Sequence, residues 1–237
     1  MKVIYIPEYK HNLIFFEKSG SSLMAGFFKS LLDWKGVKVT ERPTGNEWIG
    51  GRTLFVRNPF ERLISIFYHL NVVIRTGGTV ENKIEKLNKF LDEYEQKCKT
   101  SKNSHLQPQS WDYDAGKDDK IVKVEDIMEG YNKLVSEYRA SSNISFNTTQ
   151  PFFTAEDYIK NFGILEEIGI PMDNKDRMFA VTLYGFILNK LNEGHHHNES
   201  HLMLHTLYGQ GRLDILRKLR DITKDEMHTF GYNNQLI

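Results

Sequence analysis

Cysteine is nearly missing from this chain: Cys98 stands alone among 237 residues. A single thiol cannot close an internal disulfide, which excludes the disulfide-built secreted scaffolds and fits a reducing compartment. An excess of either charge is missing too. The 31 acidic and 31 basic residues leave no net charge, so no nucleic acid is expected as the main partner. No stretch approaches the ~20 apolar residues of a spanning helix. The opening Met-Lys-Val-Ile-Tyr-Ile-Pro-Glu-Tyr-Lys also lacks the apolar core of a secretory leader. The sequence as it stands therefore reads as a soluble, cytoplasmic protein without a membrane span, and its sequons at Asn143, Asn147 and Asn198 as chance. Repeats, low-complexity tracts and long linkers are absent, which leaves one domain over residues 1–237, large enough for a full-sized core. Nothing in the sequence signals an oligomeric state.

What is present centres on Asn12 to Trp34. Leu13 to Phe16 is an unbroken apolar run, as in a strand buried on both faces, and from Leu23 the apolar residues recur at helical spacing (Leu23, Phe27, Phe28, Leu31, Leu32). Between them, Ser19, Gly20, Ser21 and Ser22 carry almost no bulk, so backbone N–H groups and the helix dipole can face an anion closely. Lys18 adds a full charge. This P-loop-like strand, loop and helix reads as a phosphate cradle; the same spelling also fits an ordinary turn with a serine N-cap. The triphosphate loop Gly-x-x-x-x-Gly-Lys-Ser/Thr is absent, because the lysine precedes the glycine.

A second strand-to-helix junction follows. Thr53 to Val56 reads as a buried strand with Arg57 at its tip, and Asn58-Pro59-Phe60-Glu61 as a helix start running to about Leu70. Further strands are expected at Val37–Thr40 and Ile121–Val124. Helices are expected at Thr79–Thr100, Ile127–Tyr138, Ala155–Phe162, Lys175–Leu191 and Leu213–Ile222, and a capping box at Thr223–Glu226. Residues 140–153 read as a surface excursion, and 104–111 and 194–201 as polar loops. The alternation predicts an α/β fold of three layers with a largely parallel central sheet. Ligands of such sheets lie beyond the carboxyl ends of the strands, so both junctions open on one edge. Arg57 would stand there as a second anion anchor, with Ser65 about two helical turns further on the same face. A surface salt bridge for Arg57 and a hydroxyl bonded to its own helix for Ser65 are the plain alternatives.

Three segments carry a resemblance. Lys18-Ser19-Gly20-Ser21-Ser22, then Phe55-Val56-Arg57-Asn58-Pro59-Phe60-Glu61-Arg62-Leu63-Ile64-Ser65, then His105-Leu106-Gln107-Pro108-Gln109 stand in the order and approximate spacing of the Golgi carbohydrate sulfotransferases. Lys123-Val124-Glu125-Asp126-Ile127, His197-Asn198-x-Ser200 and Phe230-Gly231-Tyr232 also resemble family features. The resemblance implies transfer of a sulfuryl group from 3′-phosphoadenosine 5′-phosphosulfate (PAPS) to a hydroxyl, of a sugar or glycan, leaving adenosine 3′,5′-bisphosphate. It implies that Lys18 to Ser22 hold the 5′-phosphosulfate, that Arg57 and Ser65 hold the 3′-phosphate, and that Lys18 also offsets charge on the leaving phosphate. His105 is the best candidate for the general base, with Glu17 as the runner-up; a loop histidine held by Gln107 or Gln109 is the plain alternative. Asn58 replaces the family's usual Asp, and Leu106 replaces an aromatic, with a changed acceptor pocket as the expected result. The family's membrane anchor and cysteines are missing. The rivals are a nucleotide or small-molecule kinase, which needs magnesium and a carboxylate to hold it, and a nucleotide binder without catalysis.

His195, His196, His197, His201 and His205 invite a metal reading. The cluster has no cysteine, and a histidine-rich loop more often binds metal adventitiously than structurally. No metal is assigned, and the loop is read as closing over nucleotide or acceptor.

Overall fold

The computed structural model describes residues 1–19, 21–41, 50–72, 77–101, 103–110, 119–124, 163–173, 175–176, 179–180, 182–183 and 199–232. The helices expected at 127–138 and 155–162, the excursion at 140–153, and the resemblance at 125–127 and 197–198 lie outside these residues.

Five strands, β1 (Lys2–Ile6), β2 (His11–Phe15), β3 (Thr40–Glu41), β4 (Gly51–Val56) and β5 (Lys120–Lys123), make one sheet in the order β3-β1-β2-β4-β5. β2, β4 and β5 pair in parallel; β1 is antiparallel to both β2 and β3. Four strands therefore run one way and β1 alone opposes them, so the sheet is largely parallel as expected. β1 itself was not expected. Its buried residues, Val3, Ile4 and Ile6, make too short a run to read without its partner, and Lys10 at φ 46° closes the hairpin to β2. The strand expected at 37–40 shrinks to Thr40–Glu41.

Six helices are described: α1 (Ser21–Trp34), α2 (Pro59–Leu70), α3 (Val80–Thr100), α4 (Ile164–Glu167), α5 (Glu199–Gly209) and α6 (Leu213–Thr229). The described residues of the helix expected over 175–191 are helical as well. Alternate side chains of β2 enter opposite cores. Leu13 and Phe15 join Met24, Phe27, Phe28, Leu31 and Leu32 of α1, while Ile14 and Phe16 meet Leu54, Val56 and Phe230 below the sheet. Phe15 stacks on Phe55, its partner in the parallel register, with ring centroids 4.5 Å apart; such a pair adds about 0.5–1.5 kcal/mol beyond its buried area. A third cluster joins α2, α3, α5 and α6 through Phe67, Leu87, Phe90, Leu204, Leu207, Leu216 and Leu219. Among the described residues no helix is long and apolar enough to cross a membrane.

Candidate active site

The first junction leaves β2 through a tight turn in which the Ser19 amide donates to the Phe16 carbonyl at 3.1 Å. Lys18 occupies the left-handed region at φ 62°. That conformation is uncommon for a residue with a long side chain and persists only where the surroundings dictate it. Ser19 is fully buried, and its hydroxyl donates to Gln109 Oε1 at 2.6 Å. Both donors of Ser19 are thus used within the protein, so it shapes the loop. Ser21 is buried at the start of α1, and Ser22 is exposed, its Oγ accepting from Lys2 Nζ at 3.1 Å. Gly20 lies outside the described residues.

The parallel register that pairs Phe15 with Phe55 brings the second junction to the same sheet edge. Asn58 caps α2 as expected: its Oδ1 accepts from the amides of Phe60 (2.9 Å) and Glu61 (3.5 Å), with Pro59 in the first turn. Arg57 Nη2 donates to Glu61 Oε2 and to Ser200 Oγ, each at 2.9 Å. The Arg57 side chain is only 14% exposed, so this is an enclosed pair and not a surface one. Burial pushes the Glu61 carboxyl up, but Arg57 and His201 outweigh it and hold the group below the ordinary carboxylate value. Ser65 is half-buried two turns along α2.

The loop 103–110 ties these junctions together. Gln109 is 1% exposed. Its Oε1 accepts from Ser19 Oγ and from the Arg57 amide (3.1 Å), its Nε2 donates to the Arg57 carbonyl (3.2 Å), and its own amide donates to the Glu226 carboxylate. Arg62 is 2% exposed. It donates from Nε to the Glu17 carbonyl (3.0 Å) and from Nη2 to the Gln107 carbonyl (2.5 Å), and its Nη1 lies 3.7 Å from Glu226 Oε1. Burial raises the Glu226 carboxyl against the pull of Arg62. Arg62 and Gln109 stand inside the quoted motifs, but their place in this frame is not legible there: Gln109 is expected at most to hold His105, and Glu226 to close a capping box. That box does not form. The Thr223 hydroxyl donates to the Leu219 carbonyl at 2.8 Å, α6 runs unbroken from Leu213 to Thr229, and Glu226 is turned inward.

His105 sits on this loop beside Lys18 and Glu17. Its Nδ1 lies 3.5 Å from Glu17 Oε2, near enough for a Coulombic pull but without an aligned hydrogen bond, and its ring meets His69 edge-on at 4.6 Å. Burial and then Lys18 lower the His105 pKa, against a smaller upward pull from Glu17. Burial raises the Glu17 carboxyl, but the Met1 amine, 3.1 Å away, and His105 more than reverse this and leave it lowered. At neutral pH the pair is a neutral imidazole beside a carboxylate. Leu106 points into the core. Its side chain is buried in the α2–α3 cluster, and its carbonyl accepts from Tyr94 Oη (2.7 Å) and Cys98 Sγ (3.1 Å), which pins the loop.

One cavity, of about 490 Å³, is lined by Lys29, Ser30, Asp33 and residues 36–39. It lies at the far end of α1, on the sheet edge opposite the junctions. Lys18 and Arg57 stand at the other edge, past the ends of β2 and β4. A model of the sulfotransferase family matches residues 10–233, from the start of β2 past the end of α6. The chain belongs to the sulfotransferase family. Searches of curated proteins and of solved structures returned no match. As a sulfotransferase the chain is an enzyme that moves a sulfuryl group from a sulfate donor to a hydroxyl-bearing acceptor. The matched span of this sulfotransferase contains both junctions and the whole loop that joins them.

Proposed function

We propose that this sulfotransferase takes PAPS as its donor and a carbohydrate hydroxyl as its acceptor, in a single domain spanning the chain. The loop Lys18 to Ser22 holds the 5′-phosphosulfate, with Ser19 acting through the shape of the loop. Arg57 and Ser65 hold the 3′-phosphate, Glu61 and Ser200 keeping the guanidinium aimed while no anion is present. PAPS supplies an activated sulfuryl group whose transfer leaves a phosphate oxygen more negative than before. Lys18 is the cation beside that oxygen, and an ammonium fixed in advance stabilises charge that develops only in the transition state. His105, neutral because burial and Lys18 lower its pKa, takes the proton of the acceptor hydroxyl as its oxygen attacks sulfur. Glu17 is the weaker candidate base, since its lowered pKa makes it a poor proton acceptor. The chemistry needs donor, sulfur and acceptor roughly in line, which a rigid frame between the two junctions favours.

The single observation carrying this reading is the Gln109 side chain, which bonds Ser19 of the first junction and the backbone of Arg57 at the second. Two anion anchors held at a set separation suit a nucleotide with phosphates at both ends. The carbohydrate acceptor rests on the motif resemblance. The test is thermal denaturation: adenosine 3′,5′-bisphosphate should raise the melting temperature without magnesium, and more than ATP does. Equal stabilisation by ATP, or a strict need for magnesium, would favour a kinase.

A further inference from the structure

His201 and His205 do not lie together in the expected histidine loop. α5 begins at Glu199, so the two residues stand four apart on one helix, a spacing that puts side chains one above the other. Their rings meet edge-on at 4.4 Å, and the two Nε2 atoms are 3.0 Å apart. His201 Nδ1 lies 2.9 Å from Glu61 Oε1. Glu61 is a carboxylate clasped by Arg57, so it accepts a proton and cannot donate one. His201 therefore carries its hydrogen on Nδ1, and its Nε2 presents a lone pair toward His205.

We infer that His201 and His205 form a two-histidine site for a divalent transition-metal ion of the zinc, nickel or copper class, with Glu61 as its outer partner. Two metal–nitrogen bonds of about 2.0–2.1 Å meeting at roughly 90 to 110° separate their nitrogens by roughly 2.9–3.4 Å. The observed 3.0 Å falls inside that range, so an ion can enter with little movement. A carboxylate on the far nitrogen of a ligating imidazole is the arrangement that orients such ligands and raises their basicity. Imidazole nitrogen selects this class of metal over magnesium or calcium. The ion replaces the proton shared between the two Nε2 atoms, and His205, which is exposed, moves its own proton to Nδ1. Among the described residues no third His, Cys, Asp or Glu completes the shell, so water fills the other positions and the ion exchanges readily. Glu61 also holds Arg57, which puts the site one side chain away from the anion anchor. The sulfuryl-transfer chemistry does not run through it.

The competing explanation is the run His195, His196 and His197, and the experiment separates the two. Calorimetric titration with zinc chloride compares the parent with His201→Gln, His205→Gln, Glu61→Gln and a variant in which His195, His196 and His197 are all serine. The triple variant should bind like the parent. Each single histidine variant should lose at least about tenfold in affinity, and Glu61→Gln about tenfold. With copper(II), the parent's electron paramagnetic resonance should show hyperfine splitting from two nitrogens. Parent-like zinc affinity in His205→Gln, abolition of binding in the triple variant, or a copper spectrum lacking two equivalent nitrogens would each overturn the site. His205 is exposed, so its loss is not expected to unfold the chain, and the copper spectrum of the parent needs no variant at all.

Discussion

The two strand-to-helix junctions occupy the same sheet edge but are built on different principles. After β4 the helix closes its own end: Asn58 takes the first amides of α2, and the Arg57 guanidinium before it is enclosed between Glu61 and Ser200. After β2 the chain is small and polar, and Lys18 is held in a left-handed conformation beside His105. Under the proposed function, a capped helix with an arginine aimed in advance is suited to grip a phosphate that does not react. A loop with an ammonium next to a neutral imidazole is suited to the end where a bond breaks. On that proposal, holding and reacting are divided between two turns that look alike as bare sequence.

The sharpest test of that division is His105→Ala. Under the proposed function turnover should fall by about 10²–10⁴-fold, the usual worth of a positioned base, while affinity for adenosine 3′,5′-bisphosphate stays at the parent value. The pH dependence follows from the same geometry. The base works when neutral, and its pKa is lowered from 6.5, so kcat/KM should rise through an inflection below pH 6.5 and be flat above it. An inflection above 6.5, or undiminished turnover in the variant, moves the assignment to Glu17 and calls for Glu17→Gln.

Arg62→Ala attacks the frame that both junctions share. It strips acceptors at Glu17 and Gln107 of their donor and leaves Glu226 buried without its cation, a loss expected to cost about 3–5 kcal/mol of stability in urea denaturation. A cost near 1 kcal/mol would show that the two junctions are held independently. Arg57→Ala should weaken nucleotide binding by about 1.5–3 kcal/mol in calorimetric titration, with a smaller change in turnover at saturating donor. The reverse pattern would assign the reacting end to the second junction. Asn58→Ala is the mildest change. It should remove about 1 kcal/mol of stability and leave nucleotide affinity intact, because the amides it frees already face a side chain and not a ligand.

The sequence was most legible where one segment contains its own explanation. β2 and β4 show as apolar runs, α2 announces its start in Asn58-Pro59, and α3, whose cap is the Thr79 hydroxyl, keeps its apolar face in step from Ile84 to Tyr94. The junction residues Lys18 and Arg57 were found because they follow such segments directly. What escaped is what distant residues do together. Gln109 reaches Ser19 across 90 positions and Glu226 across 117, and no periodicity links them. β1 is a strand only because β2 folds back on it. α5 was missed because its start is one glutamate in a run of histidines, and its weak amphipathic pattern gives no stripe to read.

The inward turn of Glu226 bears on when activity can arise. During synthesis β1, β2, α1 and β4 leave the ribosome well before α6 does, and chains tend to fold in that order. The Gln109 amide finds its carboxylate partner only after residue 226 has been added, more than a hundred residues later. A nascent chain thus carries both strand-to-helix junctions before the loop that ties them together is secured. Competence for transfer should switch on late, as one event, when the last helix docks.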